Sequence, residues 1–153
     1  MSTTMLHATV PASQDEAPIL AVLDTMREAL FEKDPHKFVS AFTADAAVYN
    51  LAPPLMHHGV DPAEKQAWFD SWLTPLELEP RDFKVTVSGD YAFAFGFLRL
   101  GGTKKGSEGK VNFWMRETVC LHRENGEWRI VHEHTSVPFY MDGTFRGAFD
   151  LRP

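Results

Sequence analysis

From Glu16 onward the apolar positions follow a helical period. Ile19, Leu20, Leu23, Met26 and Leu30, with Arg27 among them, recur at i, i+3/i+4 and i+7. Ser13 or Asp15 can cap such a helix and Pro18 suits its first turn, while Asp34-Pro35 predicts its end near Lys33. A second short helix is predicted over 35–42 and a short strand, AAVYN, over 46–50. Pro53 and Pro54 require a loop. Asp61-Pro62 then reads as an N-cap with proline at the first helical position, opening a helix through Leu73 whose face carries Trp68, Phe69 and Trp72.

After Pro75 and Pro80 the period changes. Residues 81–88 alternate, Gly89-Asp90 turns the chain, and 91–100 run YAFAFGFLRL. A glycine- and lysine-rich loop over 101–109 leads to a long strand over 110–123. Glu124-Asn125-Gly126 is a hairpin turn and 127–137 form the last strand. Helices first, then three or four long antiparallel strands, is an α+β layout with helices on one face of a curved sheet. The absence of parallel βαβ units argues against a dinucleotide fold. The glycine cluster GGTKKGSEG joins two strands instead of a strand and a helix, so it reads as a solvated loop and not a phosphate cradle.

Composition narrows the class. A chain of 153 residues fits one domain, placed over 15–153, behind a polar segment over 1–14 expected to be a mobile tail. Hydrophobic residues make up 44%, enough for a packed core. Cys120 is the single cysteine, which rules out an internal disulfide framework and a four-cysteine metal site. The net charge of −6 disfavours nucleic acid as a partner. The opening stretch has no basic region or long apolar core, and no run approaches the ~18 apolar residues of a membrane span, so a cytoplasmic protein without membrane attachment is expected.

The last third, RETVCLHRENGEWRIVHEHTSVP, resembles the closing hairpin of SnoaL-like proteins and is similar to the association (hub) domain of calcium/calmodulin-dependent kinase II. The matching features are Glu117-Thr118, His122 before a charged turn, Trp128 after Gly126, and the H-x-H-x-S run at His132, His134 and Ser136; the element order from the first helix to Leu100 also matches. The resemblance, over about residues 16–138, implies the nuclear-transport-factor-2-like (cystatin-like) α+β fold, a cone-shaped curved antiparallel sheet wrapped around N-terminal helices. It implies function weakly, because this fold hosts unrelated activities.

In that family the sheet curls around a cavity closed by the helices. On the long strand Phe113, Met115, Glu117, Val119 and Leu121 alternate with Trp114, Arg116, Thr118, Cys120 and His122. The first set is apolar apart from Glu117 and is expected on the concave face. By the family match, Val131, Glu133 and Thr135 share that face, joined by Phe93, Phe95, Phe97 and Arg99, by Trp68 and Trp72 from the helix above, and by Tyr49. Glu133 and Glu117 are then candidate acid–base residues. Arg99, Tyr49, Trp68, Trp72, Phe95, Phe97, Met115, Val119 and Thr135 are candidate ligand-binding residues. Phenylalanines at strand spacing also serve simply as core, and Arg99 beside a glutamate is either a ligand-carboxylate clamp or a buried ion pair.

Ketosteroid isomerase, an enzyme of this fold, places its base aspartate where Asn50 stands, its tyrosine near Met26 and its protonated aspartate near Thr118. None of the three has the required group, which argues against steroid-isomerase chemistry through these positions. The cyclases of the fold need a cavity acid or base, and Glu133 against aromatic walls is a possible substitute. An enzyme of this kind is expected to be a cofactor-independent isomerase, cyclase or dehydratase. The alternative is a non-catalytic ligand-binding or oligomerisation module like the kinase hub. In that comparison Arg99 matches one cavity arginine, whereas Val119 and Thr135 occupy two others. His132 and His134 have a strand-metal spacing but no evident third ligand, so no metal and no cofactor is expected. The expected partners are a small-molecule ligand and a second copy of the chain, a homodimer formed through an outer face carrying Trp114, Cys120, Trp128 and Ile130. The tail after Pro138 is too aromatic to stay free, and Arg99 is expected within hydrogen-bonding reach of Glu117 or Glu133.

Overall fold

The computed structural model describes residues 15–153, so the expectations for residues 1–14 and for a Ser13 cap lie outside the described residues. Helix α1 spans Ala17–Glu32; among the described residues no side chain caps it at Glu16, and it ends where Lys33 takes a left-handed conformation (φ 56°) and donates its N–H back to Ala29 and Leu30. Asp34 starts α2 (Pro35–Ser40) by accepting from Lys37 N at 3.0 Å. After β1 (Phe42–Tyr49) and the short β2 (His57–His58), Asp61 caps α3 (Pro62–Asp70), accepting from Ala63 N at 2.8 Å.

Four long strands follow: β3 (Glu77–Ser88), β4 (Tyr91–Gly102), β5 (Val111–Glu124) and β6 (Glu127–Ser136). Asn125 and Gly126, both at positive φ (52° and 79°), make the tight β5–β6 turn that an Asn-Gly pair favours. The six strands order β2-β1-β6-β5-β4-β3. All neighbours are antiparallel except β1 and β6, which run parallel. The helices pack against one face of this curved sheet, where Ile19, Leu23, Met26, Phe69, Leu76, Val119, Leu121 and Ile130 are almost wholly buried.

Register sorts the strands into faces. Ala94 lies opposite Val119 and Leu98 opposite Met115, so Ala92, Ala94, Gly96, Leu98 and Leu100 are the helix-facing set of β4. Phe93, Phe95, Phe97 and Arg99 therefore stand on the convex face, which corrects their expected place in the cavity. Both parities of β4 are apolar, so hydropathy alone could not choose between them. Packing chooses the small set: a Cβ on Gly96 would lie 2.5 Å from the ring of Phe83, which already covers that position.

A β-bulge decides β6. Cys120 pairs with His132 but Leu121 with Ile130, leaving Val131 as the extra residue. Strand parity consequently reverses at 131. Ile130 turns into the core with no exposure, and Trp128 packs against that core, which corrects their expected outward position. Tyr49, paired with His134, also faces outward and packs edge-on to His132 and His134 at 4.7 and 5.3 Å, whereas Val48 points inward. The chain after Pro138 folds back on itself through the Phe139–Gly147 bridge, buries Ala148, and sets Phe149 edge-on against Phe113 at 4.9 Å.

Candidate functional site

Between the concave face and helices α1–α3 lies a cavity of about 500 Å³. Its walls are largely apolar, with Met26, Leu30, Phe38, Val48, Leu98 and Met115 among them. Residues 50–53, the start of α3 and Lys104 contribute from the loops. Two carboxylates face this space. Register puts Glu117 opposite Thr135 and Glu133 opposite Val119, so the glutamates are diagonal neighbours on one face of adjacent strands. They are 2% and 7% exposed, and both line the cavity.

Burial disfavours the ionised form of each. Glu117 is pushed up to about 8 by loss of solvent and by the neighbouring Glu133, against the opposing pull of Arg27. Glu133 is pushed up to about 7, again by loss of solvent, with Lys65 and Arg27 opposing. Two adjacent carboxyls of this kind titrate as a pair, with their ionisation moved up toward the neutral range.

A cation from α1 stands beside Glu117. Arg27 Nη2 stands 4.0 Å from Glu117 Oε2, its Nη1 reaches Asp24 at 3.3 Å, and the guanidinium lies 4.8 Å over the ring of Phe83. Among the described residues, Arg27 Nε and Nη2, Glu117 Oε2, Glu133 Oε2 and Trp72 Nε1 are buried without a protein hydrogen-bond partner. The Arg27–Glu117 contact is thus a loose electrostatic pair and not a bidentate bond. Buried polar groups left open in this way call for water or a ligand.

Of the residues singled out in the sequence, Glu117, Glu133, Trp68, Trp72, Met115 and Thr135 come together around the cavity. Val119 is on the same face but fully buried in the core. Tyr49, Phe95, Phe97 and Arg99 do not join them. Arg99 pairs with Glu79 at 2.9 Å and Glu77 at 3.8 Å on the convex side, so neither its expected bond to Glu117 or Glu133 nor a clamp at this position exists. The two positions compared with ketosteroid isomerase that do reach the cavity are Met26 and Asn50, while Thr118 faces outward with His134 opposite. His132 Nδ1 donates to Ala47 O at 2.7 Å on the convex face. No group of three or more His, Cys, Asp or Glu able to hold a metal was found among the described residues.

Three cations went unassigned in the sequence: Arg27, beside Glu117, and Lys65 and Lys104, on the cavity wall. The first two carried a signal. Arg27 interrupts the apolar stripe of α1 four residues after Leu23, and Lys65 shares a helical face with Trp68, Phe69 and Trp72. A charged side chain inside an apolar stripe must meet a buried partner or a ligand.

The family model that matches the chain is the SnoaL-like domain, over residues 19–140. The chain belongs to the SnoaL-like family. Solved structures similar to this SnoaL-like chain fall in the nuclear-transport-factor-2-like superfamily. One is a protein of unknown function from Pseudomonas putida KT2440, 26% identical, with 90% of this chain and 96% of that one covered and a TM-score of 0.79. A protein from Novosphingobium aromaticivorans, provisionally named a scytalone dehydratase, is 12% identical over 86% of this chain and 89% of its own, with a TM-score of 0.72. A third, from Xanthomonas campestris, carries the provisional name calcium/calmodulin-dependent protein kinase II association domain; it is 20% identical over 84% and 91%, with a TM-score of 0.69. Among curated proteins none matches the SnoaL-like chain.

Proposed function

We propose that this SnoaL-like protein performs cofactor-independent acid–base chemistry on a small, mainly apolar molecule, of the isomerase, cyclase or dehydratase type. One observation carries the reading: two buried glutamates, each with an unpartnered carboxylate oxygen, face the same apolar cavity. A pair whose ionisation is raised toward neutrality can, in its singly protonated form, donate to a carbonyl or hydroxyl oxygen through one carboxyl while the other takes a proton from an adjacent carbon. Arg27 lowers the cost of charge on the pair, and the aromatic walls keep the local field strong. The likeness to a protein named a dehydratase supports the same class.

The test is proton exchange. Small apolar ketones are incubated with the protein in deuterium oxide and loss of the α-proton signal is followed by NMR. Exchange well above the buffer rate is expected, with Glu133→Gln and Glu117→Gln each reducing it by roughly 10²–10⁴-fold. Exchange at the buffer rate in both native protein and variants would sink the catalytic reading. A second reading, a binding module without turnover, draws on the likeness to a kinase association domain. It requires ligands that raise the melting temperature while no proton exchanges.

A further inference from the structure

Two lysines stand on the cavity wall at a single aromatic step. Trp68 and Trp72 meet edge to face at 5.8 Å. Lys65 Nζ lies 4.8 Å from the centre of the Trp68 ring and 4.3 Å from that of Phe38. Lys104 Nζ lies 5.3 Å from the centre of the Trp72 ring, and the backbones of the two residues form an isolated β-bridge. All four of Lys65, Trp68, Trp72 and Lys104 line the cavity.

Among the described residues these ammonium groups make no close ion pair, although the field of Glu133 reaches Lys65. Lysines that do pair sit elsewhere, Lys37 on Glu28 and Glu32 and Lys110 on Glu77. Among the described residues neither Lys65 nor Lys104 forms an ion pair; Asp61 accepts from Ala63 N as the cap of α3, and Glu64 lies 3.9 Å from His57. Trp72, only 5% exposed, also leaves its indole N–H without a partner among the described residues. Two cations and one buried donor thus line a cavity whose acids are Asp61, Glu64, Glu117 and Glu133, in a chain whose net charge is −6.

We propose that Lys65, Lys104 and the Trp72 N–H receive an anionic group of the ligand, which makes that ligand an amphipathic acid with a carboxylate-like head at the lysines and an apolar body reaching toward Glu117 and Glu133. This rests on the cavity being the functional site. The orientation follows from charge. An anion placed against the glutamates is repelled, whereas at the lysines it meets ammonium groups whose π-contacts leave hydrogen-bond donors open. Burial already makes the Lys65 ammonium less comfortable than a free one, with only the field of Glu133 opposing, so an anion brought to it recovers lost solvation.

The experiment uses two probes of nearly the same shape: 1-anilinonaphthalene-8-sulfonate, which is anionic, and N-phenyl-1-naphthylamine, which is neutral. Binding is followed on the native protein by shifts of the Trp68 and Trp72 indole N–H signals in NMR, which also report that each variant is folded. The anionic probe is expected to bind at least about tenfold tighter. In Lys65→Met/Lys104→Met that preference should vanish while the neutral probe changes less than about twofold; Lys104→Met alone should lose part of it, and Lys65→Arg should retain it. Equal affinity for the two probes in the native protein, or an undiminished preference in the double variant, overturns the proposal and leaves the cavity reading standing. If neither probe moves the two indole signals, the cavity reading fails and this inference falls with it.

Discussion

Glu117 and Glu133 hold their protons into the neutral range because the chain gives each of them little solvent and no hydrogen-bonded partner for one carboxylate oxygen. That has a consequence for stability. Both groups have folded values raised above the ordinary carboxylate value, so the unfolded chain ionises first as pH rises. The native state is favoured at low pH and loses that advantage as pH climbs through about 7 and about 8. Melting temperature should therefore fall from mildly acidic to mildly alkaline solution. Glu117→Gln and Glu133→Gln should each flatten the fall, gaining on the native protein as pH increases. Thermal denaturation monitored by circular dichroism over that range checks this, and parallel curves for native and variants would contradict it. Arg27 shows how one residue joins three others: it lies over Phe83, which in turn covers Gly96, the residue opposite Glu117.

At the scale of elements, α3 is short and owes its start to Asp61 and Pro62. The cap satisfies Ala63 N, and the helix it opens delivers Lys65, Trp68 and Phe69 to the cavity and the core. Asp61→Ala should lower stability by about 1 kcal/mol. Because the helix carries one wall of the site, it should also weaken ligand binding more than an exposed substitution such as Ala67→Ser does. Chemical denaturation and probe titration on the two variants measure this; equal effects would show that the cap is not needed to place the wall. The α1 stripe, the capped α3 and the Asn-Gly hairpin were legible because helical period, capping and turn chemistry are local. The facing of β6 was not, because the bulge at Val131 exists only relative to its partner strand.

For the molecule as a whole, the convex face stands out. Phe93 and Phe95, each 44% exposed, stack at 6.3 Å, and Tyr91, itself stacked on His122, and Tyr49 extend the same surface. An aromatic sheet face of this kind is costly to leave in water. We propose that it is covered by a second copy of the chain, with Phe93 and Phe95 at the centre in place of the core residues Trp128 and Ile130. Sedimentation at micromolar concentration should give a dimer, and Phe93→Glu/Phe95→Glu should give a folded monomer. A native monomer under those conditions would remove the proposal. No helix among the described residues is long and apolar enough to cross a membrane.

The sequence alone determined the order of the main elements, the α+β class and the SnoaL-like resemblance, together with the inward face of Glu117; the same face for Glu133 was implied by the resemblance and not by its strand's own pattern. These follow from periodicity, capping and turns, which act over a few residues. Tertiary structure decided which half of an all-apolar strand faces inward, because Ala92, Ala94 and Gly96 had to be matched to Leu121, Val119 and Glu117 across a register that no local pattern encodes. It sent Arg99 to Glu79 on the convex side and brought Arg27 to Glu117 from a helix 90 residues away in the chain, the separation between their numbers. A buried charge is settled by whichever opposite charge packing brings within a few ångströms, and that neighbour is a property of the folded chain.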